Sequence, residues 1–286
     1  IRYNYFLILK TMSKILINPK ALYRLYGEAS KAGTNSLKLF YVGLGKNAER
    51  DFYMQSLQNS NMLNLNDFTE TDPNLFTTPS PETFNKMMKK LNILSESTVI
   101  MYNGISAAKA WFIMKYYGHP STMILDGGIR EWKRLDYPIN TMKTPVDYTS
   151  APVKTFTAKE PNTSMVIEYE EVLKKVGNDD VQIVDIRSPD QFASKEHNGL
   201  GHIPGAVNIH FADFYDRDGK MKDKEQLNEL FSAAGLDKNK EVITYDHGGV
   251  TACIGYSALE ELGFEGIRMY DGSWAEYSSK DETRES

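Results

Sequence analysis

The sequence predicts two α/β domains in tandem, each a parallel sheet flanked by helices. Three observations lead there. Short apolar runs rich in β-branched residues alternate with helical stretches, the order that forces parallel strand pairing through crossover helices. One strand–loop–helix–strand unit occurs twice, a sign of internal duplication. The 286 residues are enough for two domains of ordinary size.

In the first unit, Ser97–Tyr102 reads as a buried strand, Asn103-Gly104-Ile105-Ser106 as a turn, and about Ala107–Tyr117 as a helix ended by Gly118-His119-Pro120. Thr122–Leu125 is the next strand, followed by Asp126-Gly127-Gly128 and a short helix containing Trp132. The second unit repeats this order. Val242–Tyr245 is the strand, Asp246-His247-Gly248-Gly249 the loop, about Val250–Leu262 the helix stopped by Gly263, and Ile267–Tyr270 the second strand before Asp271-Gly272-Ser273-Trp274. At one offset beyond the two Asp-Gly turns, Glu131-Trp132 matches Glu276-Tyr277. The second domain opens with a helix around Tyr169–Val176 and a strand, Val181–Val184, that leads to Asp185-Ile186-Arg187.

The chain divides into an N-terminal extension (1–15), a first domain (16–139), a linker (140–163) and a second domain (164–286). The linker is rich in Thr, Pro, Ser, Lys and Asn and has neither helical nor strand period. The first 27 residues carry Arg2, Lys10, Lys14, Lys20 and Arg24 and no acid. That composition fits either the remnant of a mitochondrial targeting segment or a basic first helix. A mitochondrial destination is the expectation, with the cytoplasm as the alternative.

Composition narrows the function classes. Hydrophobic residues make up 41% and charged residues 25%, as in a folded globular chain. A net charge of −5 offers no basic face for nucleic acid. The single cysteine, Cys253, leaves no intramolecular disulfide and no cysteine-based zinc site. No apolar run approaches the ~18–20 residues that span a bilayer. No cofactor and no metal are expected. Gly43-Leu44-Gly45 lacks the full spacing of a nucleotide loop.

The run Gly201-His202-Ile203-Pro204-Gly205-Ala206-Val207-Asn208 and the Asp185-Ile186-Arg187 triplet resemble a rhodanese domain. Gly249–Cys253 and Tyr270–Trp274 narrow the resemblance to the tandem thiosulfate/3-mercaptopyruvate sulfurtransferase family, and Met123–Trp132 extends it to the first half. Over residues 36–80 the family's motifs have decayed. The resemblance implies a non-catalytic first domain and a second domain whose loop begins with a sulfur-accepting cysteine. Anchored on Gly249-Val250-Thr251-Ala252, that cysteine falls on Asp246. A carboxylate is a hard oxygen nucleophile and lacks the reversible sulfur chemistry of a thiolate.

Other positions depart from the pattern as well. His247 and Gly248 match neither branch of the family. The Ser/His/Asp arrangement of the mercaptopyruvate type falls on Gly248, Ser56 and Tyr41. The first domain's copy of His-Ile-Pro-Gly-Ala has become Ser56-Leu57-Gln58-Asn59-Ser60. Arg187, which the resemblance places toward a substrate anion, is retained.

The resulting candidate site is a degenerate active-site loop of Asp246, His247, Gly248, Gly249, Val250 and Thr251, with no catalytic residue and with Arg187 as the anion-binding candidate. Lying between a strand end and a helix start, the loop can turn successive N–H groups inward as an anion cradle. The Asp246 carboxylate is expected to accept hydrogen bonds from residues 248–252. Simpler roles stand beside these: Asp246 as a helix cap or as an acid/base, Arg187 as the structural partner of a loop carboxylate, within direct or water-bridged reach of Asp246, His202 as a turn residue bonded to backbone, His247 as a free loop side chain, and Cys253 as a small core residue or a redox thiol. The expected function is that of a catalytically inactive sulfurtransferase homologue serving as a structural or binding subunit. Its expected partners are other proteins rather than nucleic acid or a small substrate. The alternative is an active thiosulfate or 3-mercaptopyruvate sulfurtransferase.

Overall fold

The computed structural model describes residues 15–32, 36–70, 75–140, 155–158, 160–194 and 201–281. Apart from Ile15, the proposed N-terminal extension lies outside them, as does most of the linker. The chain divides into two compact units. One comprises Ile1–Glu70, Pro79–Pro161 and Arg217–Lys220; the other comprises Thr71–Thr78, Asn162–Asp216 and Met221–Ser286. Two short segments thus join the unit opposite to the one their place in the sequence suggests.

In the first unit the strands are β1 (Leu16–Ile17), β2 (Leu37–Gly43), β3 (Ser56–Leu57), β4 (Asn61–Asn64), β5 (Thr98–Tyr102), β6 (Thr122–Leu125) and β7 (Ile139–Asn140). Five of them form a wholly parallel sheet in the order β1-β6-β5-β2-β4, while β3 and β7 make a small antiparallel pair. The second unit contains β8 (Val166–Ile167), β9 (Val181–Asp185), β10 (Val207–Asn208), β11 (Glu241–Tyr245) and β12 (Ile267–Tyr270). Its sheet is also wholly parallel and reads β8-β12-β11-β9-β10, the same order as the first. The repeat read from sequence is therefore a repeat of topology.

The strands form where sequence supplies continuous apolar runs, because a parallel sheet is covered on both faces. Leu39–Val42 and Val242–Tyr245 are buried throughout. β2 lies in the stretch where the family motifs had decayed, so the sheet outlasts the motifs. The helices Pro81–Lys90, Pro189–Ala193 and Lys224–Ala233 start at Ser80, Ser188 and Asp223, whose side chains each accept a backbone N–H of the first turn. Gly104–Tyr116 is buried on nearly every side, as befits a helix packed within the fold rather than on its surface.

Two helix starts differ from expectation. The first begins at Gly104 rather than Ala107, because Asn103 and Gly104 take positive φ (107° and 57°) and complete the turn at once. The second begins at Ala252 rather than Val250, past the loop Asp246–Thr251 in which Gly249 takes positive φ (87°). Part of the linker has a structural role. Phe156 is buried in the first unit, where its N–H donates to Ile93 O at 2.7 Å and its ring meets those of Phe84 and His119. No helix among the described residues is long and apolar enough to cross a membrane.

Candidate functional site

The loop Asp246–Thr251 leaves the C-terminal end of β11, the middle strand of its sheet, where parallel α/β sheets commonly hold their ligands. Its first residue binds the rest of the loop. Asp246 Oδ1 accepts the Gly249 N–H at 2.5 Å; Oδ2 accepts the Val250 N–H at 3.0 Å, the Thr251 N–H at 2.6 Å and the Thr251 hydroxyl at 2.6 Å. Three consecutive amides therefore point at one buried carboxylate, which is only 4% exposed. This is the geometry of an anion cradle filled by its own side chain. Thr251, at the N-cap position of the following helix, spends its hydroxyl on Asp246 and makes no side-chain cap bond.

A second turn fastens the loop. Trp274 N–H donates to Asp246 O and Ala275 N–H to His247 O, each at 2.9 Å. Ser273 Oγ lies 3.1 Å from Asp246 Oδ1 and 2.9 Å from Tyr270 O, so its one proton has two acceptors. Ser273 has φ +52°, a left-handed conformation that costs a non-glycine residue about 1–2 kcal/mol. Gly249 has φ +87°, and a Cβ there would meet the carbonyl oxygens of Asp271 and Phe76 at 3.1 Å each. Only glycine fits that position.

Arg187 is bound by a different carboxylate. Its Nε donates to both Asp185 oxygens (3.0 and 3.1 Å), its Nη2 donates to Asp185 Oδ2 at 2.5 Å and to Gly201 O at 2.8 Å, and its backbone N–H donates to Asp185 Oδ1 at 2.9 Å. The guanidinium also lies 4.6 Å from the Trp274 ring centroid and 5.7 Å from that of Tyr245. The charge is thus neutralised and covered by aromatic faces, and Arg187 is 5% exposed. Among the sequence-derived candidates, Asp246, Gly249, Val250 and Thr251 meet at one carboxylate. Arg187 belongs to the separate Asp185 pair.

The remaining candidates are placed as follows. His247 is exposed. His202 Nδ1 donates to Phe192 O at 2.9 Å, with the two rings stacked at 3.7 Å. Cys253 is fully buried in its helix, its Sγ 3.8 Å from Gly249 O and 3.2 Å from Met269 Sδ. In the first unit, Tyr41 packs edge-on to Tyr102 and Ser56 is buried in β3. No cluster of potential metal ligands occurs among the described residues. The repeated Asp-Gly turn is visible in the sequence, but what its second copy does is not: Ser273 supports the Asp246 carboxylate, and Asp271 receives Thr78 through its backbone N–H and hydroxyl. The repetition of that turn after both second strands was the available signal.

Comparison with known proteins gives a consistent result. The model of the family described as rhodanese-like domain matches residues 168–280. A Mycolicibacterium smegmatis protein bearing the provisional name thiosulfate sulfurtransferase is 36% identical over 210 residues, which cover 68% of this chain and 73% of its own. Human 3-mercaptopyruvate sulfurtransferase is 28% identical over 245 residues, covering 82% of this chain and 80% of its own. Among solved structures, the Escherichia coli 3-mercaptopyruvate sulfotransferase SseA has a TM-score of 0.77 at 24% identity, covering 91% of this chain and 98% of that one. The Saccharomyces cerevisiae Tum1 protein has a TM-score of 0.79 at 21% identity, covering 94% and 96%. At those identities the two structures speak for the fold alone.

Proposed function

The chain belongs to the tandem-domain rhodanese family of sulfurtransferase-like proteins, and on that premise we propose that it is a catalytically inactive member acting as a structural or binding subunit. One observation carries the reading: the residue at the head of the loop is a carboxylate, and the inward N–H groups of Gly249, Val250 and Thr251 are already bound to it. In sulfur transfer from thiosulfate, a thiolate attacks the outer sulfur, the sulfur–sulfur bond breaks, sulfite leaves with the electron pair, and a persulfide anion remains for the cradle to hold. Asp246 supplies an anion to the cradle without a sulfur that could form the persulfide. Cys253 is the second residue of the helix Ala252–Glu261 and is fully buried, its thiol against Met269 Sδ. A filled cradle and an Arg187 engaged by Asp185 leave little for a substrate anion to bind, whereas the scaffold around them is intact.

A scaffold kept without its chemistry suits protein partners. A place in a larger assembly, in mitochondria if the basic N-terminal segment is a targeting remnant, is part of this proposal. The second reading, an active thiosulfate or 3-mercaptopyruvate sulfurtransferase, is favoured by the names of the relatives. Assays of the purified chain with thiosulfate and with 3-mercaptopyruvate, using cyanide and a thiol as acceptors, separate the two. The expected result is no turnover above background with either donor. Turnover lost in Cys253→Ser would show that the nucleophile had moved and would sink the inactive reading. In Asp246→Cys, a mass increase of roughly 32 Da after thiosulfate would mark a slowly formed persulfide, the covalent intermediate of this chemistry.

A further inference from the structure

Thr71–Thr78 belongs to the second unit although the 83 residues Pro79–Pro161 stand between it and the next part of that unit, which begins at Asn162. Its described residues, 75–78, are fastened at two points. Phe76 N–H donates to Gly248 O at 2.8 Å. Thr78 donates its backbone N–H to both oxygens of Asp271 (2.8 and 3.1 Å) and its hydroxyl to Oδ2 at 2.7 Å. Asp271 is 5% exposed and begins the turn that places Ser273 beside Asp246.

Both fastenings converge on Gly249. A Cβ added to it would come within 3.1 Å of both Phe76 O and Asp271 O, while its N–H is the one that donates to Asp246 Oδ1. The segment thus touches the loop's outer side at the residue whose positive φ turns the amides inward. We propose that residues 75–78 are a latch that holds the Asp246 loop in its cradle conformation through Thr78 and Asp271. Unfastening Thr78 loosens the amides of Gly249–Thr251.

The latch is sensitive to negative charge. Thr78 offers two donors to a carboxylate that already has acidic neighbours: burial, then Asp271 and Glu276, raise the pKa of Glu168. A negative group in place of the Thr78 hydroxyl removes a donor and sets like charges together in a buried place, which costs more than losing the hydrogen bond alone. The latch does not depend on whether the loop reacts, so its test is independent of sulfur-transfer activity.

Hydrogen exchange on the full chain tests it, comparing Thr78→Glu, Thr78→Val and Asp271→Asn with the unaltered protein. In peptides covering 246–252, exchange is expected to rise about tenfold in Thr78→Val, the scale of one hydrogen bond to a charged acceptor. A larger rise is expected in Thr78→Glu and Asp271→Asn, while the β9 peptide 181–185 keeps its protection. Thr78→Val, which preserves shape, decides the matter if a charged variant loosens the whole unit. Faster exchange at 75–80 with no change at 246–252 would show the segment to be a passive surface strand and overturn the proposal.

Discussion

The two units carry the same turns at equivalent places but different polar groups inside them. In the first, Leu57 N–H donates to Tyr102 OH at 3.0 Å, Ser60 N–H returns to Leu57 O at 3.1 Å, and Asn59 has φ +58°. In the second, Ile203 N–H donates to Tyr245 OH at 3.1 Å, Ala206 N–H returns to Ile203 O at 3.0 Å, and Gly205 has φ +78°. The segment Ser56–Ser60 therefore keeps the turn of His202–Ala206 after losing its sequence.

The contents diverge where the chemistry would be. Strand register sets Tyr41 opposite Tyr102 as it sets Asp185 opposite Tyr245. Tyr41 fills the place of Asp185 with an aromatic ring packed on Tyr102 and Phe52, and Gly43 stands where Arg187 would. The chain after Tyr102 passes through Asn103 straight into its helix, whereas Asp246 is followed by five more residues before Ala252. The turn scaffold survives on backbone hydrogen bonds and one tyrosine. The second unit additionally maintains a buried ion pair and a filled cradle, and this is where the two can be made to respond differently.

The largest expected effect comes from breaking the ion pair that only the second unit has. Asp185→Ala leaves Arg187 buried without its carboxylate and should lower the stability of that unit by roughly 3–5 kcal/mol. Asp185→Leu combined with Arg187→Met removes both charges and should cost less than Asp185→Ala alone, since the first unit stands with Tyr41 and Gly43 at these places. Hydrogen exchange of the β9 peptide 181–185 across a urea series reads the difference. A double variant less stable than the single one would mean that the pair organises the site in a way the apolar version cannot.

The next effect is confined to the first unit. His119 and Phe264 occupy matching positions after Gly118 and Gly263, their N–H groups donating to Met114 O and Leu259 O. Burial depresses the His119 pKa to about 4, against an ordinary value of 6.5. The contacts fix a neutral tautomer: Nε2–H donates to Leu94 O at 3.3 Å and Nδ1 accepts the Thr122 hydroxyl at 3.0 Å. Between pH 6.5 and 4 the unfolded chain binds the proton and the folded one does not. Stability is therefore complete above about 6.5 and falls as pH drops toward 4, by roughly 3 kcal/mol in all. His119→Phe, the second unit's residue, should flatten that window in thermal melts taken from pH 7 to 4. An unchanged slope would assign the acid sensitivity to carboxylates instead.

Removing the carboxylate from the cradle should have a smaller effect. Asp246→Ala leaves the amides of Gly249, Val250 and Thr251 facing a space without an acceptor, at a cost of about 1–3 kcal/mol. Added sulfate should recover part of the loss by occupying the emptied cradle, visible as a melting temperature that rises with sulfate but not with chloride. Asn103→Gly in the first unit, where no such cradle exists, should show no sulfate effect. A sulfate response equal in both variants would reduce it to a general salt effect.

How much of this could be read in the sequence follows from how local each cause is. Thr98–Tyr102, Thr122–Leu125, Val242–Tyr245 and Ile267–Tyr270 were legible because β-branched runs between turn residues carry their own signal. The Asp246 cradle was legible from a strand end, two glycines and a helix start. The helix boundaries were displaced because the left-handed turns at Asn103 and Gly249 are decided by single dihedrals. The contacts of residues 75–78, and those of Lys220 with Glu131 at 2.7 Å in the first unit, join segments distant in sequence and leave no local pattern. The partner of Arg187 was missed for the same reason: the sequence suggested the loop carboxylate of Asp246, and packing gives it Asp185 instead.

The smallest effect comes from exchanging one residue between the two Asp-Gly turns. Gly128 and Ser273 have nearly the same φ, +53° and +52°. Open space surrounds the place where a Cβ would stand at Gly128, so Gly128→Ser costs only the left-handed conformation, about 1 kcal/mol. The new hydroxyl finds no carboxylate across from it, because the residue at the position of Asp246 is Asn103, whose amide donates to Val42 O at 2.9 Å. Ser273→Gly relieves a similar strain but removes the hydroxyl beside Asp246 Oδ1 and Tyr270 O, worth about 0.5–1.5 kcal/mol. The two terms nearly cancel, and the urea midpoint should move little. A serine in that conformation is thus balanced in the second unit by the carboxylate it supports. If Ser273→Gly instead stabilises by the full conformational amount, the hydroxyl contributes nothing to Asp246, and the support of the cradle rests on the loop amides and Thr251 alone.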